Sequence, residues 1–253
     1  MNERIKQSHS LRKDFLEEMR KVSHSHDEID IFRDCCRVFA ISLRVPLLQS
    51  AEERNSAERQ YQNIVSKYGK EGMTHIAHCF AILCLALEEK REDFLGHLLQ
   101  ELNGTSKGFA QFFTPPHLAR LMANIVGGSK PKVGELVTLA DPCCGAGVLL
   151  IEYAENHLEN GGRQCDLFIS AEDIDETACC IAYTQLSLLG FSARITHMDS
   201  LSKKIYDEPW FTVGFYLHGT QWRIRPRGNE EPQKILRLTQ GELSLFNNEN
   251  KER

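Results

Sequence analysis

The sequence lacks any run of 18 or more apolar residues, so it holds no segment long enough to cross a bilayer as a helix. Its start, Met1 to Lys21, is polar and charged and has no apolar stretch of the secretory kind. No CxxC spacing occurs among the nine cysteines. An odd count with two adjacent pairs, Cys143-Cys144 and Cys179-Cys180, argues against a disulfide framework and for buried thiols in a reducing compartment. The chain therefore reads as cytoplasmic. It also lacks a basic excess: the formal net charge is −5, so any contact with nucleic acid must come from a local patch. There is no internal repeat, no low-complexity tract, and no Ser-His-Asp, zinc-finger or phosphate-loop pattern.

What is present is ordinary globular material. Hydrophobic residues make up 42% and charged residues 26% of 253 positions, enough for one sizeable domain plus a smaller one. Residues 1 to about 30 are polar, and fray or form a loose helix. From Ile29 to Leu48, Ile31, Phe32, Cys35, Val38, Phe39 and Ile41 recur at helical spacing, and Pro46 ends that helix. Further helices are predicted over Ser50 to Tyr68, with Gly69 as the stop, then Met73 to Leu87 and Asp93 to Asn103. Residues 1–103 thus form a helical domain.

After the linker Gly104 to Gly108 the pattern alternates between strand and helix, the mark of a parallel sheet with crossover helices. Helices are predicted at 116–126, 147–160 and 176–189. Strands are predicted at 135–140, 166–172, 192–197 and, less regularly, Phe211 to Leu217. The α/β domain spans 104–246, and 247–253 is a charged tail.

The most informative segment is Val137-Thr138-Leu139-Ala140-Asp141-Pro142-Cys143-Cys144-Gly145-Ala146-Gly147. An apolar strand runs into a turn with two glycines, and the turn opens a helix. Glycine permits positive φ and close approach of a ligand to the backbone, and the helix start offers free N–H groups. A ligand would lie across the carboxyl ends of the strands. Asp173 ends the next strand, where the ribose hydroxyls of a nucleoside would lie, and Asp199 ends the one after. Asp175 is the rival to Asp173, since Asp-Ile-Asp offers two carboxylates.

Asp-Pro-Cys-Cys-Gly-Ala-Gly resembles the S-adenosylmethionine (SAM) motif of DNA adenine-N6 methyltransferases, D-P-x-C/A-G-S/T/A-G. Upstream, Gly108-Phe109-Ala110-Gln111-Phe112-Phe113-Thr114-Pro115 is similar to the G-Q-F/Y-F/Y-T-P element of type I modification subunits, with Phe109-Ala110 inserted. Asp93-Phe94-Leu95-Gly96 resembles the D-x-L-G that opens the last helix of their N-terminal domain. The likeness covers roughly residues 50 to 201. It implies a Rossmann-like SAM-dependent methyltransferase sheet, shortened at its C-terminal end, behind an N-terminal helical domain. It also implies roles. Gln111, Phe113 and Thr114 would cover the methionine end of SAM; simple core packing is the alternative for Phe113 and the favoured reading for Phe112. Asp141, Gly145 and Gly147 would form the floor, Asp173 would take the ribose hydroxyls, Ile174 would pack on the adenine, and Asp199 would accept from its amino group.

Transfer to an exocyclic amine needs the base out of the duplex and acceptors that align the amine. The family uses N/D-P-P-Y/F/W for this. The nearest match here is Asp207-Glu208-Pro209-Trp210, which departs at the second position. On the resemblance, Asp207 and Pro209 would hold the amine and Trp210 would stack on the base. The alternative is a turn with Trp210 in the core, in a relative that binds SAM without transferring its methyl group. The resemblance thus implies an adenine-N6 DNA methyltransferase, site-specific or of low specificity, acting on double- or single-stranded DNA, with a specificity or other protein subunit as a candidate partner. The rival is a degenerate SAM-binding protein acting through a partner in restriction–modification or anti-restriction.

Trp222-Arg223-Ile224-Arg225-Pro226-Arg227-Gly228 is the one concentrated basic patch, suited to phosphates and base stacking or else a solvated edge. His75 and His78 lie in an apolar helical pattern with no third ligand nearby in the sequence, so no metal is expected.

Overall fold

The computed structural model describes residues 2–104, 114–127 and 130–224. Helix α1 (Asn2–Arg20) lies along α3 (Ala51–Glu89), and α2 (Glu28–Arg44) and α4 (Phe94–Gly104) close the same helical layer. The polar start is thus a full helix. Its second half earns its place by burying Phe15, Leu16 and Met19. The Phe15 ring meets Phe32, Phe39 and Phe94 edge-on, at centroid distances of 6.4, 6.4 and 5.9 Å. Gly69 interrupts α3 with φ 65° and ψ −175°, so the expected stop is a kink between two helical halves.

Then the chain winds through α5 (Pro116–Val126), β1 (Val137–Asp141), α6 (Val148–Glu159), β2 (Leu167–Asp173), α7 (Glu176–Leu188) and β3 (Ser192–Asp199). The three strands are parallel and adjacent in the order β1-β2-β3, with Asp141 opposite Ala171 and Asp173 opposite His197. Strands β4 (Lys204–Ile205) and β5 (Trp210–Phe211) both pair antiparallel with β3, and among the described residues β1 has no partner on its other edge. The architecture is a mixed α/β fold with a layer of helices ahead of the sheet.

Helix α7 carries buried residues on every side because it is packed between β3 and α2. One apolar cluster runs unbroken from Phe15 through Phe94, Ala146 and Tyr183 to Trp210. The helical layer and the sheet therefore share a core. Among the described residues no helix is long and apolar enough to cross a membrane.

The segment from Phe211 to Leu217 differs from expectation. Only Trp210–Phe211 is strand, and α8 (Val213–Leu217) follows. Thr212 turns the chain: its hydroxyl donates to the Phe191 carbonyl at 2.6 Å and accepts from Ala193 N at 2.9 Å. Gly214 then lies so close to the Gly190 and Phe191 carbonyls that a Cβ would come within 2.6 Å of both oxygens.

Candidate functional site

Strand β1 ends at Asp141, and residues 142–147 turn the chain into α6. Gly145 (φ 53°) and Gly147 (φ 91°) are both left-handed, a conformation that costs other residues roughly 1–2 kcal/mol each. Gly145 also borders open space: a Cβ there would meet nothing within 4 Å. A ligand can approach the main chain at that point. Gly147 caps α6 with no side-chain bond, so the first N–H groups of the helix have no side-chain cap.

The turn is held from the neighbouring strand. Cys144 N donates to the Glu172 carbonyl at 2.9 Å, and Gly145 N donates to Asp173 Oδ2 at 2.8 Å. The second oxygen of Asp173 accepts from Asp175 N at 2.9 Å. Asp173 is therefore oriented by two backbone donors and keeps further lone pairs. Its rival Asp175 is used otherwise: it caps α7, accepting from Thr177 N at 2.9 Å.

Asp141 accepts from Cys143 N at 3.0 Å. Partial burial pushes its carboxyl above the usual range, the Cys143 hydrogen bond opposes this, and the charge of Asp173 adds to it. Asp199 takes Leu201 N at 2.9 Å, Ser202 N at 3.2 Å and the Ser202 hydroxyl at 2.7 Å, the last being the main reason its carboxyl is held low. Asp141, Asp173 and Asp199 thus stand at the carboxyl ends of three adjacent parallel strands. Ile174 follows Asp173 with its side chain 60% exposed.

Two residues that the sequence reading passed over complete this edge. The Ser200 hydroxyl lies 2.6 Å from the Pro142 carbonyl and 2.8 Å from Glu172 Oε2 and shares its single proton between them, tying the end of β3 to the glycine turn across β2. A hydroxyl next to a strand-end acid was the available signal. His197 faces the Ile174 carbonyl with Nε2 at 3.1 Å and Asp207 Oδ2 with Nδ1 at 2.6 Å.

The Asp207-to-Trp210 segment reaches this edge through that contact. Trp210 itself is 7% exposed; its ring meets Tyr183 edge-on at 5.9 Å, and the Arg44 guanidinium lies over it at 4.5 Å. Pro209 precedes it in the loop between β4 and β5. Thr114 lies just ahead of Pro115, the N-cap of α5. Gln111 and Phe113 lie outside the described residues, as do Arg225 and Arg227 of the basic patch. Arg223 is turned inward, bonded to the carbonyls of Cys165 and Gly134 and to Asp166, while Trp222 is 63% exposed.

The Asp93-Phe94-Leu95-Gly96 element bears on the turn directly. Asp93 accepts from Gly96 N at 2.8 Å, and a Cβ on Gly96 would lie 2.6 Å from the Ala146 methyl group. The fully buried Gln185 donates to Asp93 at 2.9 Å and to the Ala146 carbonyl at 3.2 Å, and accepts from Leu95 N at 2.9 Å. The helical layer thereby braces the glycine turn from behind.

The family described as N-6 DNA Methylase matches residues 91–213. Among solved structures, a candidate class I S-adenosylmethionine-dependent methyltransferase from Listeria monocytogenes is similar at 15% identity and TM-score 0.48, over 90% of this chain and 72% of that one. The type I restriction-modification system methyltransferase subunit from Streptococcus thermophilus is similar at 14% identity and TM-score 0.41, over 77% of this chain and 59% of that one. Comparison with curated proteins finds no match.

Proposed function

We propose that this chain transfers a methyl group from SAM to the N6 amine of adenine in DNA, a reading supported by the match of residues 91–213 to the N-6 DNA Methylase family. One observation carries the reading within that segment. A left-handed glycine turn opens onto free space at Gly145, and beside it Asp173 is held ready by the Gly145 and Asp175 N–H groups. The residues present fit SAM: an uncrowded backbone, an oriented carboxylate for the ribose, and an exposed Ile174 for a flat base.

SAM, when bound, supplies a methyl group on a sulfonium that leaves readily. The chain's task is then to bind, orient and exclude. Asp141, Gly145 and Gly147 form the floor, Asp173 takes the ribose hydroxyls, Ile174 packs on the adenine and Asp199 accepts from its amino group. Thr114 covers the methionine end, a role the resemblance also gives to Gln111 and Phe113, which lie outside the described residues. The target adenine leaves the duplex, Asp207 and the Pro209 carbonyl align its amine, and Trp210 stacks on the base. Transfer is direct, with no covalent enzyme intermediate. Sequence selection falls to a partner such as a specificity subunit, because the described part of the basic patch spends Arg223 on internal contacts.

The burial of Trp210 favours a second reading. A ring engaged by Tyr183 and Arg44 has little face left for a base. On this reading the chain binds SAM and acts through a partner without methylating DNA itself. Labelled SAM and unmethylated double- and single-stranded DNA, analysed by nucleoside mass spectrometry, test the two. N6-methyladenine that disappears in Asp207→Ala and Trp210→Ala supports the enzyme. SAM binding without any N6-methyladenine supports the second reading, and absence of both overturns the proposal.

A further inference from the structure

The third ligand that the sequence does not place near His75 and His78 is supplied by folding. The two histidines stand one turn apart on α3, and α1, packed along it, brings Glu18 between them. Nδ1 of His75 donates to Glu18 Oε1 at 2.7 Å, and Nδ1 of His78 donates to the same oxygen at 2.8 Å. One ligand atom from each of the three side chains lies within 4.8 Å of the others. The rings are near perpendicular, 79° apart.

We propose that Glu18, His75 and His78 form a binding site for a divalent transition metal of the zinc type. Two imidazole nitrogens and one carboxylate oxygen are the donor set such an ion takes, with a fourth position left for water. At ordinary zinc–ligand lengths of about 2.0–2.2 Å, tetrahedral ligands stand roughly 3.3 Å from one another. Each nitrogen would then retreat from Oε1 by about half an ångström as the ion replaces the shared protons. His78 can make that movement, because its side chain is 59% exposed, and the open side admits the water. Glu18 is already an anion in place: the His75, Lys21 and His78 contacts hold its carboxyl down at about 2. Lys21 lies on the other carboxylate oxygen, Oε2, at 2.8 Å, and leaves Oε1 to the metal. The donor set excludes magnesium and calcium, which require oxygen ligands. The ion would fasten α1 to the second half of α3. This inference is independent of the methyltransferase reading.

The test uses the full chain, stripped with a chelator, titrated with Zn²⁺ by calorimetry and with Co²⁺ by visible absorption. Wild type is expected to bind one ion at this site, give a tetrahedral Co²⁺ spectrum without a thiolate charge-transfer band, and melt at higher temperature with metal than without. His78→Ala is expected to stay folded, melting only slightly below wild type in the absence of metal because its lost contact is an exposed one, and to lose affinity by more than the roughly 10–100-fold that losing an outer partner of a ligand costs. A thiolate band would assign the metal to cysteine and overturn the site. So would undiminished binding by His78→Ala, or no binding by wild type, in which case the cluster is a hydrogen-bonded clasp alone.

Discussion

Gln185 donates through its side-chain amide to Asp93 Oδ1 at 2.9 Å, although the two residues are 92 positions apart. The bond joins the helix behind the sheet to the start of α4, and the same amide reaches the Ala146 carbonyl in the glycine turn. Both residues are buried. Burial raises the Asp93 carboxyl above its usual range, with Gln185 and Gly96 N pulling it back. Gln185→Leu removes these partners together. Stability in urea should fall by about 1–3 kcal/mol for each buried group left unpaired. A variant with unchanged stability would remove the brace from the account.

Gly96→Ala probes the same brace sterically. The new methyl group would come within 2.1 Å of the Asp93 carboxylate and 2.6 Å of the Ala146 methyl. Overpacking of this kind costs about 1–3 kcal/mol. Because the clash falls on the turn, SAM affinity should fall along with the melting temperature. A loss of stability with SAM affinity intact would separate the helical layer from the site.

Gly145 and Gly161 offer a matched pair. Both are left-handed, with φ 53° and 87°, and a Cβ on either meets nothing within 4 Å. Alanine at each should therefore cost a similar 1–2 kcal/mol or so of folding stability. Only Gly145→Ala should weaken SAM binding, since Gly161 lies beyond the far end of α6. Equal SAM affinities in the two variants would place the ligand elsewhere.

Acid should unfold the protein partly through two carboxylates. Glu18 is lowered from the usual 4.5 to about 2, first by His75. Asp166 is held well below the carboxylate range, first by Arg163, then by Gly134 N and Arg223. Depressed values mean that the stabilisation is present above the unfolded-state value and is lost as the pH falls through the folded one. Stability should decline as pH drops below about 4.5, and Glu18→Gln and Asp166→Asn should each flatten that decline. Parallel curves for wild type and both variants would contradict the assignment.

The parts of the fold built from local pattern were legible in the sequence. The apolar run Val137 to Ala140 before a glycine turn is strand, and the helix predicted at 116–126 is α5 to the residue. The glycine turn and its strand-end acids were legible because each is read from a few consecutive residues. What was not legible depends on distant partners. Gln185 is a single amide in an apolar helix, and nothing local announces Asp93. His75 and His78 look solitary until α1 delivers Glu18 from 57 residues away. Phe211 to Leu217 alternates like a strand, yet the carbonyls of Gly190 and Phe191 leave room only for Gly214, and the chain turns into α8.

SAM is proposed to lie over the open backbone at Gly145 beside Asp173, and calorimetric titration of wild type and Asp173→Ala with SAM tests this directly. The account predicts one SAM per wild-type chain. It predicts a loss in Asp173→Ala of about 1.5–3 kcal/mol, the worth of hydrogen bonds to a charged group, or roughly 10–150-fold in affinity. No binding by wild type, or full affinity in Asp173→Ala, would contradict it.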